Sequence, residues 1–326
     1  MTEITDRAVD TLIRCACRAP SVHNTQPWHW HVHDDGVVDL YADHTRQLVQ
    51  ADPQRRDLVL SCGAALHHLQ VAARALGLAP RVHRLPEPDD ERFVARVRLT
   101  PADPPPDAER QLAVIEARRT DRRRLTSWPV PVDRLNALAM AGNQWGAQVL
   151  PVVDERARTL LGSLTRRADE LQRRNAEYRA EIARWTTYWG NEGVPAGHIP
   201  REASRAATDV LTRRFDGGVL DDPALEDEPP GDGLLLVCTS SDDPLSRVRA
   251  GETMSAVWLR ATSDDLAVVP LSQALEVDET REALQTEVLD DLAQAQIVLR
   301  VGWQPLGRAD LPATPRRDLA DVRTRG

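Results

Sequence analysis

The sequence predicts an α+β fold in which one structural unit occurs twice. Three observations predict it. Apolar periodicity alternates between helical and strand spacing along the chain. A stiff Pro-rich segment, Thr100 to Asp107, divides the chain. After that segment the same order of helix and strand returns, as an internal duplication requires. With 326 residues the chain is long enough for about two compact domains.

Each element follows from its residues. From Thr5 to Arg18, Val9, Leu12, Ile13 and Ala16 keep helical spacing, and Thr5 is placed to cap the start. Ala19-Pro20-Ser21 stops this helix. The extended runs Trp28 to His33 and Val37 to Tyr41 flank Asp35-Gly36, a two-residue hairpin signal. Asp52-Pro53 opens a second helix whose Leu58, Cys62, Ala65, Leu69, Ala72 and Leu76 share one face until Gly77. Phe93, Ala95, Val97 and Leu99 alternate with arginines, the pattern of a half-buried strand. The first half is therefore residues 1–107 and the second 108–326. The second half contains a helix from Ala108 to Ala117, a helix around Leu135, Leu138 and Ala139, an extended run from Gln148 to Val153, a small-residue helix, and a strand from Gln296 to Trp303.

The duplication rests on order and spacing more than on identity. Setting Gly63 against Gly251 pairs Leu69 with Val257, Ala73 with Ala261 and Leu78 with Leu266 without a gap. The second half also holds an insertion at about residues 156–218, charged and helical, interrupted by a segment with Trp185, Tyr188 and Trp189. An acidic connector with Pro229-Pro230 follows. The insertion is read either as a cover for a ligand or as a helical hairpin packed on the outside.

Composition excludes several chemistries. All 41 basic residues are Arg, so lysine Schiff bases, pyridoxal phosphate attachment and a P-loop lysine are ruled out. Arginines clamp anions but do not serve as bases near neutral pH. A net charge of −9 argues against a nucleic acid partner. The absence of a long apolar run and the acidic stretch from Met1 to Asp10 argue against a membrane span or a secretory signal. Cys15, Cys17, Cys62 and Cys238 lack metal or disulfide spacing, which fits a reducing, cytoplasmic location. His29, His31 and His33 share a strand face but lack a companion carboxylate or thiol, so no metal is expected. No Gly-x-Gly-x-x-Gly turn supports a Rossmann nicotinamide site.

Two segments are poorly explained by packing. Ala19-Pro20-Ser21-Val22-His23-Asn24-Thr25-Gln26-Pro27-Trp28 places a hydroxyl, an imidazole and two amides between prolines just after a helix. Arg118-Arg119-Thr120-Asp121-Arg122-Arg123-Arg124 concentrates five arginines just after another, a run that elsewhere is most often a solvated face. The pair Arg316-Arg317 follows Pro315 in the tail.

These motifs resemble the nitroreductase superfamily. The first segment is similar to its flavin-contacting loop, and Arg118-Arg119-Thr120-x-Arg122-Arg123 to its phosphate clamp. The long insertion within a fused, duplicated chain resembles the Acg family of dormancy-associated flavoproteins. The resemblance implies two fused, pseudo-symmetric nitroreductase-like halves, each a mostly antiparallel sheet flanked by helices, around FMN. It implies that Arg118, Arg119, Thr120 and Arg122 or Arg123 hold the phosphate, with Arg316 or Arg317 closing from the tail. Pro20, Ser21, Val22, His23 and Asn24 line the ring and ribityl chain, and Pro270, Leu271 and Ser272 lie beside the reactive ring edge.

The polar loop occurs in the first half alone and the clamp in the second alone, so one FMN per chain is expected. The flavin performs the electron chemistry while the protein orients it. The resemblance implies either an NAD(P)H oxidoreductase passing electrons to nitro or quinone compounds, or a flavin-binding protein whose insertion closes the site with little turnover. His23 is expected to act by hydrogen bonding, and the chain is expected to be a monomer or homodimer.

Overall fold

Two central helices of equal length organise the molecule. α2 (Arg56–Ala75) and α7 (Pro244–Ser263) differ by 188 residues at both ends, and the strands that follow them, β3 (Leu78–Arg84) and β7 (Leu266–Leu271), begin at the same offset. They cross at Gly63 and Gly251, as the alignment of these glycines anticipates. A Cβ on Gly251 would lie 2.0 Å from the Leu60 carbonyl oxygen, and one on Gly63 would lie 2.2 Å from that of Val248. Only glycine permits this approach. A computed structural model describes residues 5–186, 190–201, 211, 213–222 and 231–326. Tyr188 and Trp189 of the aromatic segment and Pro229-Pro230 lie outside the described residues.

Each half carries a sheet. The first runs β3, β4 (Phe93–Pro101), β2 (Val37–Ala42), β1 (Trp28–Val32) and β9 (Arg323–Arg325). The second runs β7, β8 (Gln294–Trp303), β6 (Gly233–Thr239) and β5 (Gln148–Pro151). Read from the strand after each central helix, the two orders match strand for strand. All pairings are antiparallel except that of β9, which joins β1 in parallel with Trp30 opposite Arg323. The tail thus leaves the second sheet and ends on the first. His29 and His31 contact the Thr324 hydroxyl at 3.1 and 3.0 Å, and His33 contacts Asp39 at 2.9 Å.

One core runs through both halves, joining Leu12, Trp28, Trp30 and Leu69 to Leu235, Trp258 and Leu299. The Pro-rich segment therefore separates two stretches of sequence that share one interior. The second sheet's other face forms its own core, in which Leu161 and Leu164 of α5 (Glu155–Arg174) meet Leu284 and Leu289 of α9 (Asp278–Leu289). α5 and α6 (Ala176–Thr186) lie in the β5 to β6 connection, where the first half has the turn before Gly36. The insertion thus replaces a hairpin.

Most boundaries follow the sequence reading. α1 (Asp6–Ala16) is capped by Thr5, α3 (Ala108–Ala117) has the expected bounds, and α4 (Val132–Asn143) buries Leu135, Leu138 and Ala139. α2 begins later than Asp52-Pro53 suggests, because Arg55 is left-handed at φ 56° while the Asp52 carboxylate accepts from the Leu58 amide at 2.8 Å. The sequence reading does not anticipate β3, β6, β7, β9, the short α8 (Gln273–Glu276), α9 or α10 (Leu319–Val322). Arg81 and His83 of β3 face solvent or its border beside few apolar residues, which leaves only a weak alternation.

Candidate functional site

The polar loop leaves α1 in a conformation that side chains must enforce. His23, Asn24 and Gln26 have φ of 43°, 55° and 50°, each in the left-handed region, which costs about 1–3 kcal/mol per residue. The Ser21 hydroxyl accepts from the Gln26 amide at 3.0 Å and the Ser61 hydroxyl from the Val22 amide at 3.1 Å. Asn24 Nδ2 donates to the carbonyls of Gly193 at 2.9 Å and Pro315 at 3.1 Å. Gln26 donates to Asn191 and accepts from the Arg317 amide. The first half, the insertion and the tail therefore meet on this loop.

Beneath it lies a cavity, with about 800 Å³ of non-atom space when the open solvent at its mouth is counted. Pro20, Ser21, Val22 and His23 line one side. Thr120 and Arg122 line another, held there because Thr120 bridges in parallel to Val268 on β7. Pro270, Leu271 and Ser272 enter at the end of β7, and Met254 and Trp258 form the floor with Leu60 of α2. Segments expected to act together from opposite halves thus line one space.

The arginines divide into two groups. Arg118 is buried, with its guanidinium 4.8 Å from the centre of the Trp258 ring. Its Nη2 donates to the Arg18 carbonyl at 3.2 Å, while Nε and Nη1 are buried without a hydrogen-bond partner among the described residues. Arg316 comes from the tail to the same end of α1, donating to the carbonyls of Cys17, Arg18 and Ala19 and to Asn24 Oδ1. Burial first, then the nearby Arg316, Arg119 and Arg18, weakens the hold of Arg118 on its proton. Burial, then Arg18, lowers Arg316 to about 10. Arg118 has spare donors beside a second buried cation, an arrangement that suits an anion, although neither arginine is among the residues that line the cavity.

The other expected arginines point elsewhere. Arg123 is paired with Asp121 at 2.6 Å and donates to the Ala309 carbonyl. Arg119 donates to carbonyls of its own segment and to Leu311, and Arg317 serves Gln26 and Asp321. Asn24 braces the loop and does not line the cavity.

The insertion supplies cavity residues that the sequence did not single out. Leu211, Arg213 and Phe215 close one side. Arg213 meets His23 Nε2 at 2.7 Å and pairs with Glu276, while Arg122 lies 5.4 Å from the centre of the Phe215 ring. Burial first, and then Arg213 and Arg122, holds His23 well below the usual histidine range. A neutral imidazole accepting from Arg213 fits this arrangement. Trp185, the described member of the aromatic segment, packs beside Val22, Leu48 and Tyr178 under Arg46, and does not line the cavity. Asp57 and Ser61 were also missed, since a polar residue in an Ala-rich helix carries no mark of what it faces.

No protein-family model matches the sequence. "Putative NAD(P)H nitroreductase Rv3131" of Mycobacterium tuberculosis is 38% identical over 320 residues, covering 96% of this chain and 90% of that protein. "Putative NAD(P)H nitroreductase acg" of the same organism is 32% identical over 331 residues, covering 98% and 96%. The chain belongs to the Acg-like nitroreductase family. Solved structures similar to this family member include a nitroreductase with bound FMN from Bacteroides fragilis, 15% identical over 64% of this chain and 95% of that one, with a TM-score of 0.41. The FMN-dependent nitroreductase NfnB from Mycobacterium smegmatis, in complex with NADPH, is 16% identical over 66% and 97%, with a TM-score of 0.40.

Proposed function

We propose that the chain is a flavoprotein that holds one FMN in this cavity and reduces nitro or quinone compounds at the expense of NAD(P)H. The observation that carries the reading is Arg118: a buried guanidinium with two nitrogens unpartnered among the described residues, next to Arg316 and stacked on Trp258 of the cavity wall. An FMN phosphate satisfies those donors and relieves the repulsion between the two cations. Pro20, Ser21, Val22 and His23 then face the ring system, with Thr120, Arg122 and the Pro270-Leu271-Ser272 segment on the other half. Bound FMN supplies electron-pair transfer, and the chain supplies orientation, an apolar floor and fixed positive charge.

A count of one FMN is supported by the other half. The positions 188 residues before Trp258 and Ser272 are Gln70 and Arg84, and both bond to Glu252, which is fully buried. A satisfied ion pair stands where a second cavity wall would be. A second reading, FMN held with little turnover, is favoured by Leu211, Arg213 and Phe215 on the cavity wall. Anaerobic mixing of FMN-loaded protein with NADPH separates the two. Rapid bleaching of the unaltered chain supports the reductase. Bleaching only in the variant carrying Arg213→Ala and Phe215→Ala supports a closed store, and failure to bind FMN overturns both.

A further inference from the structure

Carboxyl groups around the N-terminal end of α2 can be counted against the arginines that face them. Arg56 and Arg247 pair with Asp242, Arg213 with Glu276, and Arg281 with Asp278. Asp52 takes the first-turn amide hydrogens of the helix, including that of Leu58. Asp57 is left over: among the described residues no hydrogen bond or ion pair reaches its carboxyl group. Asp57 lines two spaces. It borders the large cavity with Ser61 and Arg213, and it also borders a smaller outer pocket, with the exposed Gln54 and Asp278 and with Glu276.

We propose that Asp57 is the proton-exchange group of the cavity, passing protons from water in the outer pocket to the species reduced inside. The inference rests on the flavin reading given above. Only a proton moves in this step. The O–H bond of Asp57 breaks, an O–H or N–H bond forms on the acceptor that has gained an electron pair from NAD(P)H, and water in the outer pocket returns a proton to the carboxylate. Position and charge both suit the task. Asp57 is the acid common to both spaces, and burial, then the Asp52 and Glu276 carboxylates, pushes it well above the usual carboxylate range. Across the cavity, His23 is tied to Arg213 and Arg122 faces Phe215, so neither imidazole nor guanidinium replaces it as a donor.

The test compares unaltered protein, Asp57→Asn and Asp57→Glu, each titrated with FMN. If none binds FMN, the flavin reading fails, whatever Asp57 does. In FMN-free protein at pH 7, the infrared C=O stretch of protonated carboxyls is expected to be stronger in the unaltered chain than in Asp57→Asn. A band of equal strength in both, or a band in neither, overturns the proposal. In FMN-loaded protein, turnover of a quinone with NADPH is expected to fall by about a hundredfold in Asp57→Asn, with recovery and a shifted pH profile in Asp57→Glu. Unchanged turnover and pH profile in Asp57→Asn overturn it as well. Should Asp57→Asn fail to fold, carbon-13 titration of aspartate carboxyls in the unaltered protein decides. An Asp57 resonance titrating in the ordinary carboxylate range overturns the proposal, and one titrating well above that range supports it.

Discussion

Arg118 and Arg123 have the same side chain in one short run, yet their surroundings give them opposite uses. Arg123 is saturated by Asp121 and Ala309, whereas two nitrogens of Arg118 are buried and free of hydrogen bonds among the described residues. Arg118→Ala is therefore expected to weaken FMN binding by about 1.5–3 kcal/mol, the value of a hydrogen bond to a charged group, measured by flavin fluorescence titration. Arg173→Ala, on an exposed pair with Asp169, should leave affinity unchanged. Equal loss in both would show that Arg118 does not hold the phosphate. On the proposed reading the arginine run marks an anion site, but which member reaches it depends on contacts with Asp121, Trp258 and the tail, distant in sequence or hidden by repetition.

At the level of elements, the α2 and α7 crossing is the tightest constraint. Gly251→Ala places a methyl carbon within 2.0 Å of the backbone oxygen of Leu60, an atom that moves only with its helix. The expected destabilisation is about 3 kcal/mol, read from the denaturant midpoint, and FMN affinity should fall with it because Asp57, Leu60, Met254 and Trp258 ride on these helices. Gly197→Ala, where an added carbon meets nothing within 4 Å, should have little effect. The glycine pairing was legible from spacing. β3 and α9 were not, since mixed polarity on a sheet edge and a charged helix resting on another helix leave weak periodicity.

For the whole molecule, the core shared by the two halves predicts cooperative unfolding, and a cavity lined from both halves predicts a single flavin. Saturating FMN should give about one equivalent per chain, by absorbance after extraction; two equivalents would contradict the filled wall at Gln70, Arg84 and Glu252. Acid should destabilise the fold through buried neutral histidines. Burial, then Arg74, lowers His67 from 6.5 to about 3. Below the unfolded value the unfolded chain takes up a proton that the folded chain refuses, so stability falls as pH falls and levels off only near the folded value. His67 should cost about 2 kcal/mol between pH 7 and pH 5. His67→Gln should reduce that loss in denaturant titrations at the two pH values.

The first helix and hairpin, the pairing of the central helices, the family and the two segments that meet at the cavity were readable from residues in a row. Period, proline and glycine act locally, and a contiguous motif keeps its meaning wherever the chain goes. The cavity wall from Arg213 and Phe215, the parallel strand that brings Arg316 to α1, and the carboxyl of Asp57, unpaired among the described residues, came from folding. Each depends on which distant groups satisfy a charge or fill a gap, and long-range pairing leaves no period in the chain that performs it.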